Sequence, residues 1–171
     1  MLLTKGVPPG EPVALLTNNS AAYIEIALAV SPVAAVLVPI NFRLANAEVD
    51  YSLKDSGAVL LFCDEELAQW DAAVPARVIV TPQAQNDASL LVQAAGDESM
   101  APVRDTGLMR IMYTSGTTDH PKGVMHAYRN FYAKSADQIV ELGLTPETRL
   151  LMAGPLYHVG AQWVAREKRI G

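Results

Sequence analysis

Short apolar runs bounded by turn-forming or helix-starting residues recur along this chain and divide it into elements. Val13 to Leu16, Val36 to Ile40, Val59 to Cys63, Arg77 to Thr81 and Leu108 to Tyr113 have the length and composition of buried strands. Helical segments lie between them. Asn18-Asn19-Ser20 offers an N-cap to a helix from about Ala21 to Val30, and Pro32 should end it, because the residue before a proline avoids the α region. Asn46 to Lys54 reads as a second helix, closed by Gly57 where left-handed geometry favours glycine. Asp64-Glu65-Glu66 begins a short acidic helix whose carboxylates read as a solvated face and helix-start charges. Met125 to Leu142 reads as a longer helix and Arg149 to Met152 as another strand. Gln83 to Arg104, rich in Asn, Asp, Ser, Gly and Pro, reads as a surface connection with one short helix. This alternation predicts an α/β fold: a mostly parallel sheet with helices on its faces, Leu108 to Tyr113 central.

Composition narrows the class. A length of 171 residues, half of them hydrophobic, fits one globular domain with a sizeable core. Ala21 to Ile40 is long enough for a membrane span, but Glu25, Pro32 and Pro39 interrupt it. Met1 to Gly6 is too short and too weakly apolar for a signal peptide, so a cytoplasmic protein without a membrane segment is expected. Cys63, alone and inside an apolar run, excludes an internal disulfide and reads as a buried structural thiol. A net charge of -5 speaks against general nucleic-acid binding. Yet Arg110, Lys122, Arg129 and Lys134 against Asp119 alone leave the window 110–134 at +3.

That basic window contains Met112-Tyr113-Thr114-Ser115-Gly116-Thr117-Thr118-Asp119-His120-Pro121-Lys122-Gly123-Val124. The residue types suit an anion. Gly116 and Gly123 let backbone N–H groups approach one closely, Thr114, Ser115, Thr117 and Thr118 add hydroxyls, and Lys122 adds a mobile charge. Pro121 should stiffen the loop beside Lys122. A Walker A loop is disfavoured, because Pro121 stands where its second glycine belongs and Gly123 where a magnesium-binding Ser or Thr should follow the lysine. A strand, this loop and the helix after it form the order in which α/β folds place phosphate at a helix N-terminus. His120 and His126 flank the loop and could touch phosphate, but a surface or capping role is the stronger reading for each. No histidine pair or carboxylate stands at metal-ligand spacing, so no protein-bound metal is expected.

From Tyr113 to Val124 the stretch closely resembles the signature of adenylate-forming (AMP-binding) enzymes, Y-T-S-G-T-T-G-x-P-K-G-V, and within them the acyl-CoA synthetases. Asp119 replaces the usual glycine. The front of the chain is similar too, in its N-S pair, in Val38-Pro39-Ile40-Asn41 and in Asp55-Ser56-Gly57-Ala58, with Ala34 where the family usually has glycine. Gly154-Pro155-Leu156-Tyr157-His158-Val159-Gly160 resembles the family's P-L-F/Y-H-x-x-G element, which lies beside the acyl pocket.

The resemblance implies that a carboxylate, often a fatty acid, attacks the α-phosphorus of ATP, and that the thiol of coenzyme A then displaces AMP. Thr114, Ser115, Gly116, Thr117, Thr118, Lys122 and Gly123 would hold the β- and γ-phosphates, with magnesium bridging oxygens and Lys122 also catalytic. Tyr157 and His158 would shape the acyl site, His158 with a catalytic part. Residues 1–162 would form the front of the family's N-terminal adenylation domain, and 163–171 a charged, unmatched tail suggesting a truncated or altered end. The motifs for adenine, ribose and magnesium and the C-terminal domain with its lysine would lie outside this chain, so alone it is expected to be inactive. Two alternatives stand: a non-catalytic or degenerate relative keeping an anion-binding loop, and an adenylating enzyme with another acceptor, a carrier-protein thiol or, as in luciferases, oxygen.

Overall fold

The apolar runs do form strands, because a short continuous apolar segment is stable only when both its faces are covered. The computed structural model describes residues 7–67, 74–80, 102–114, 120–151 and 153–158. Strands β1 (Pro12–Leu16), β2 (Val36–Pro39), β3 (Leu60–Asp64), β4 (Ala76–Val80) and β5 (Leu108–Thr114) pair in parallel in the order β4-β3-β1-β2-β5. A sixth strand, β6 (Lys122–Ala127), adds antiparallel to β5. The α/β expectation therefore holds, with two corrections. β5 is second from one edge of the described sheet, not central, and β1 and β2 take the middle. The long helix starts only at Tyr128, because Met125 to Ala127 belong to β6. A strand there pairs the outer backbone groups of β5, which a helix starting at Met125 would leave unpaired.

Successive strand residues point to opposite faces, and each face has its own cover. On one side Val13, Leu15, Leu37, Leu60 and Phe62 pack with Tyr23, Ile26 and Val30 of α1 (Ala21–Val30). On the other, Ala14, Leu16, Val38, Leu61 and Cys63 pack with Val49 and Leu53 of α2 (Asn46–Ser56). Cys63 is fully buried there, as its apolar run predicts. The third described helix, α3, spans Tyr128–Glu141, and no described helix is long and apolar enough to cross a membrane.

Local punctuation follows the side chains. Ser20 Oγ accepts from Tyr23 N–H at 3.1 Å and caps α1, and Pro32 turns the exit into a 3-10 turn, Ser31–Val33. Gly57 ends α2 at φ 66°. Ala34 follows the 3-10 turn at φ 55°, ψ 23°, a left-handed conformation that its Cβ disfavours. Ala34→Gly is therefore expected to raise stability by about 0.5–1 kcal/mol after the extra freedom glycine gives the unfolded chain is counted, as read from urea unfolding. A drop instead would mean that the Ala34 methyl contributes packing worth more than the strain.

Two further expectations change. Glu65–Leu67 is a single 3-10 turn, and Asp64 ends β3 buried at 5 % exposure rather than solvated. Its Oδ2 accepts from Asn18 N–H at 2.7 Å and from Asn18 Nδ2 at 3.1 Å, which is what makes burial tolerable. Burial still pushes its carboxyl above the ordinary value, against the lowering by those Asn18 bonds. Residues 149–151 form no strand, having no ladder partner among the described residues. The short helix expected between Gln83 and Arg104 lies outside the described residues, which resume at 102.

Candidate functional site

The β5–β6 register decides how the signature is presented. Thr114 pairs with Lys122, Tyr113 with Gly123 and Met112 with Val124, so the two ends of the signature face each other at the hairpin mouth. Thr114 and Lys122 are both exposed there, with Thr114 Oγ1 3.5 Å from the Lys122 carbonyl oxygen. Ser115, Gly116, Thr117, Thr118 and Asp119 lie outside the described residues. The strand–loop–helix expectation is corrected here: the loop joins two strands, and α3 begins at the far end of β6. The N-terminus of that helix therefore lies away from the mouth, at the other end of β6.

Gly123 also has a different reason from the one expected. Among described glycines, only Gly10, Gly57 and Gly143 have positive φ. A Cβ on Gly123 would lie 3.0 Å from Ile111 Cγ2 and 3.2 Å from Tyr113 Cζ. The glycine makes room for the Tyr113 ring across the ladder, a packing requirement the sequence reading did not include.

The segment 154–158 is positioned by Asn19 and by Tyr23 of α1. Asn19 Oδ1 accepts from Leu156 N–H at 2.8 Å while Asn19 Nδ2 donates to the Gly154 carbonyl at 3.0 Å. Tyr23 Oη donates to the Leu156 carbonyl at 3.0 Å, and Leu156 is buried at 8 % exposure. A turn bond from His158 N–H to the Pro155 carbonyl, 3.0 Å, then turns the chain. Tyr157 packs edge-on to Phe42, ring centroids 5.4 Å apart.

Between these walls is a cleft of about 320 Å³. Thr114, Pro121, Val124 and His126 of the hairpin line it together with Asn41, Ser52, Tyr157 and His158. The structure thus brings Thr114, Tyr157 and His158 together, while Lys122 and Gly123 sit between two lining residues without lining the cleft themselves. Sequence reasoning missed Asn19, whose signal was a second asparagine beside a cap that Ser20 alone supplies. It also ranked a surface or capping role for His126 above a place at the site, whereas His126 lines the cleft. His126 stands opposite Arg110 in the ladder, and Arg110 lies over the Phe131 ring at 5.3 Å. Burial, then the Arg110 charge, holds the His126 pKa below the ordinary histidine value, so the ring is neutral at neutral pH and can donate or accept in the cleft.

The profile of the AMP-binding enzyme family matches residues 1–165. A feruloyl-CoA synthase from Amycolatopsis is 40% identical over 162 residues, which is 94% of this chain and 32% of that protein. A long-chain-fatty-acid–CoA ligase of Mycobacterium tuberculosis is 34% identical over 169 residues, covering 94% of this chain and 33% of the ligase. Among solved structures, the inhibitor-bound N-terminal domain of FACL13 from Mycobacterium tuberculosis superposes with a TM-score of 0.82 at 32% identity, over 96% of this chain and 43% of that one. ATP-bound MatB from Rhodopseudomonas palustris gives 0.80 at 28% identity, over 96% and 34%. The chain spans about a third of the length of the curated relatives it matches. Sheet order, the paired ends of the signature and these matches agree, and the chain belongs to the AMP-binding enzyme family.

Proposed function

We propose that residues 1–162 are the front of the adenylation domain of an ATP-dependent acyl-CoA synthetase, followed by a tail, 163–171, outside it. The observation that carries this reading is that the hairpin mouth and the Tyr157-His158 wall border one cleft. In the first half-reaction an oxygen of the carboxylate attacks the α-phosphorus of ATP, the bond to the β-phosphate oxygen breaks, and pyrophosphate leaves. The coenzyme A thiol then attacks the acyl carbonyl and AMP departs. Thr114 to Thr118 and Lys122 hold the departing phosphates, where preorganised donors and a cation stabilise developing charge. Tyr157 and His158 bound the acid. The donor set described at the mouth, a hydroxyl and an ammonium, fits a polyphosphate, and magnesium bound with it would neutralise part of the phosphate charge.

The acid is read first as a fatty acid, since the cleft wall is largely apolar. A second reading, an aromatic acid, is favoured by the 40% identity to a feruloyl-CoA synthase and by the Tyr157–Phe42 ring pair.

Purified 171-residue chain, incubated with magnesium, ATP, coenzyme A and fatty or hydroxycinnamic acids, is expected to bind pyrophosphate but to form neither adenylate nor thioester. With the groups for adenine and ribose not supplied, the α-phosphorus is poorly aligned, and misplacement by ~1 Å costs on the order of a hundredfold in rate. Acid-dependent turnover abolished by Lys122→Ala would overturn the partial-domain reading. Failure to bind pyrophosphate would remove the anion site. The acid class that raises the melting temperature more decides between the two substrate readings.

A further inference from the structure

Helix α2 meets the hairpin at two points, one on each stem. Tyr51 and Asp55 stand one helical turn apart on the same face. Asp55 Oδ2 accepts from Tyr113 Oη at 2.6 Å. The Tyr51 ring stacks on the His120 imidazole, centroids 4.7 Å apart and planes 10° from parallel. Tyr113 immediately precedes Thr114, and His120 precedes Lys122 by only Pro121. Burial and the bond to Asp55 push the Tyr113 phenol well above its ordinary value, which keeps it a donor at neutral pH.

The helix itself is fixed. Val49 and Leu53 are buried at 0% and 1% exposure, Glu48 accepts from Ala45 N–H at 2.9 Å at its start, and Gly57 closes its end. The missing Cβ of Gly123 leaves the space through which the Tyr113 ring passes on its way to Asp55.

We infer that Tyr51 and Asp55 are positioning residues, which hold the two stems of the hairpin mouth and so set where Thr114 and Lys122 meet a polyphosphate. They act through His120 and Tyr113. The inference rests on the reading of the mouth as the site of the leaving pyrophosphate, and its test separates the two.

The 171-residue chain and its Tyr113→Phe, Asp55→Ala, Asp55→Asn and Tyr51→Ala variants are compared by amide hydrogen exchange at Thr114 and Lys122 and by calorimetric titration with inorganic pyrophosphate and magnesium. Amides of Val13 to Leu16 in β1 are the internal reference, because a general loss of stability quickens them as well. Tyr113→Phe, Asp55→Ala and Tyr51→Ala should each speed exchange at the mouth relative to β1 and weaken pyrophosphate about threefold to tenfold. Combining Tyr113→Phe with Asp55→Ala should add nothing beyond the worse single change, and Asp55→Asn, which keeps an acceptor, should restore most of both signals. Wild-type exchange at the mouth in Tyr113→Phe and Asp55→Ala, or losses that simply add, would overturn the inference. Lys122→Ala is the control. If exchange responds but even the wild type fails to bind pyrophosphate, the positioning stands and the anion reading falls. If Lys122→Ala abolishes binding while Tyr113→Phe changes neither signal, the reverse holds.

Discussion

Lys122→Ala is expected to weaken ATP or pyrophosphate binding about tenfold to a hundredfold, the equivalent of a charge-assisted contact of roughly 1.5–3 kcal/mol. The ammonium sits on the first residue of β6 across from Thr114, exposed and at the end of the hairpin where the signature loop departs. Exposure sets the size of the effect. A solvated lysine is screened by salt, so the loss should lie near the lower end at 0.15 M ionic strength and grow as salt is diluted. Lys122→Arg should recover part of the affinity, since it restores the charge but replaces a compact ammonium by a planar fork. Calorimetry with ATP and pyrophosphate at two ionic strengths makes the comparison. Equal affinity for wild type and Lys122→Ala at low salt would leave Lys122 a surface residue.

Asn19→Ala is expected to lower stability by about 2–4 kcal/mol, because it removes two hydrogen bonds and leaves the Leu156 N–H and Gly154 carbonyl without those partners. Tyr23 still holds the Leu156 carbonyl, which keeps the effect below complete release of the segment. Asn19→Asp distinguishes bonding from bulk. Its carboxylate still accepts from Leu156 N–H but faces the Gly154 carbonyl with an oxygen instead of a donor, so an intermediate loss is expected at neutral pH, shrinking as acid protonates the new side chain. Urea unfolding gives the energy, and acid-induced shifts in melting temperature report whether the Tyr157-His158 wall has moved. A change within about 0.5 kcal/mol for Asn19→Ala would show that the wall is held by something else.

Much of this architecture can be read from the chain, and the limits have physical reasons. Val13 to Leu16 and Val36 to Ile40 announce buried strands because a two-sided sheet demands uninterrupted apolar residues, and Ser20, Pro32 and Gly57 punctuate the helices by local geometry alone. Lys122 to Ala127 has no such local signature. It becomes a strand because β5 offers an unpaired edge, a fact of tertiary pairing that periodicity cannot carry. Gly123 is legible as a required glycine, but its packing role is not, since the ring that needs its space arrives from across the ladder. Asp64 reads as a surface carboxylate until Asn18, far away in sequence, supplies its donors. For the site, the signature and the P-L-Y-H element are visible as separate stretches; their meeting in one cleft is not.

The hairpin that carries the signature also orders events in time. Thr114 and Lys122 are separated by 8 positions, whereas Asn19 grips Leu156 across 137. Closure entropy grows only with the logarithm of loop length, but hairpins zip in ~1–10 μs while distant contacts wait for the intervening chain to be organised. The hairpin stems are therefore expected to belong to a local folding event, made lasting by β2 at the other edge of β5. The Tyr157-His158 wall, tied down by two hydrogen bonds with Asn19 and one from Tyr23 of α1, is expected to dock late and be released early. Mild denaturation should then dismantle the cleft in sequence, with recognition of the acid lost while the grip on pyrophosphate persists.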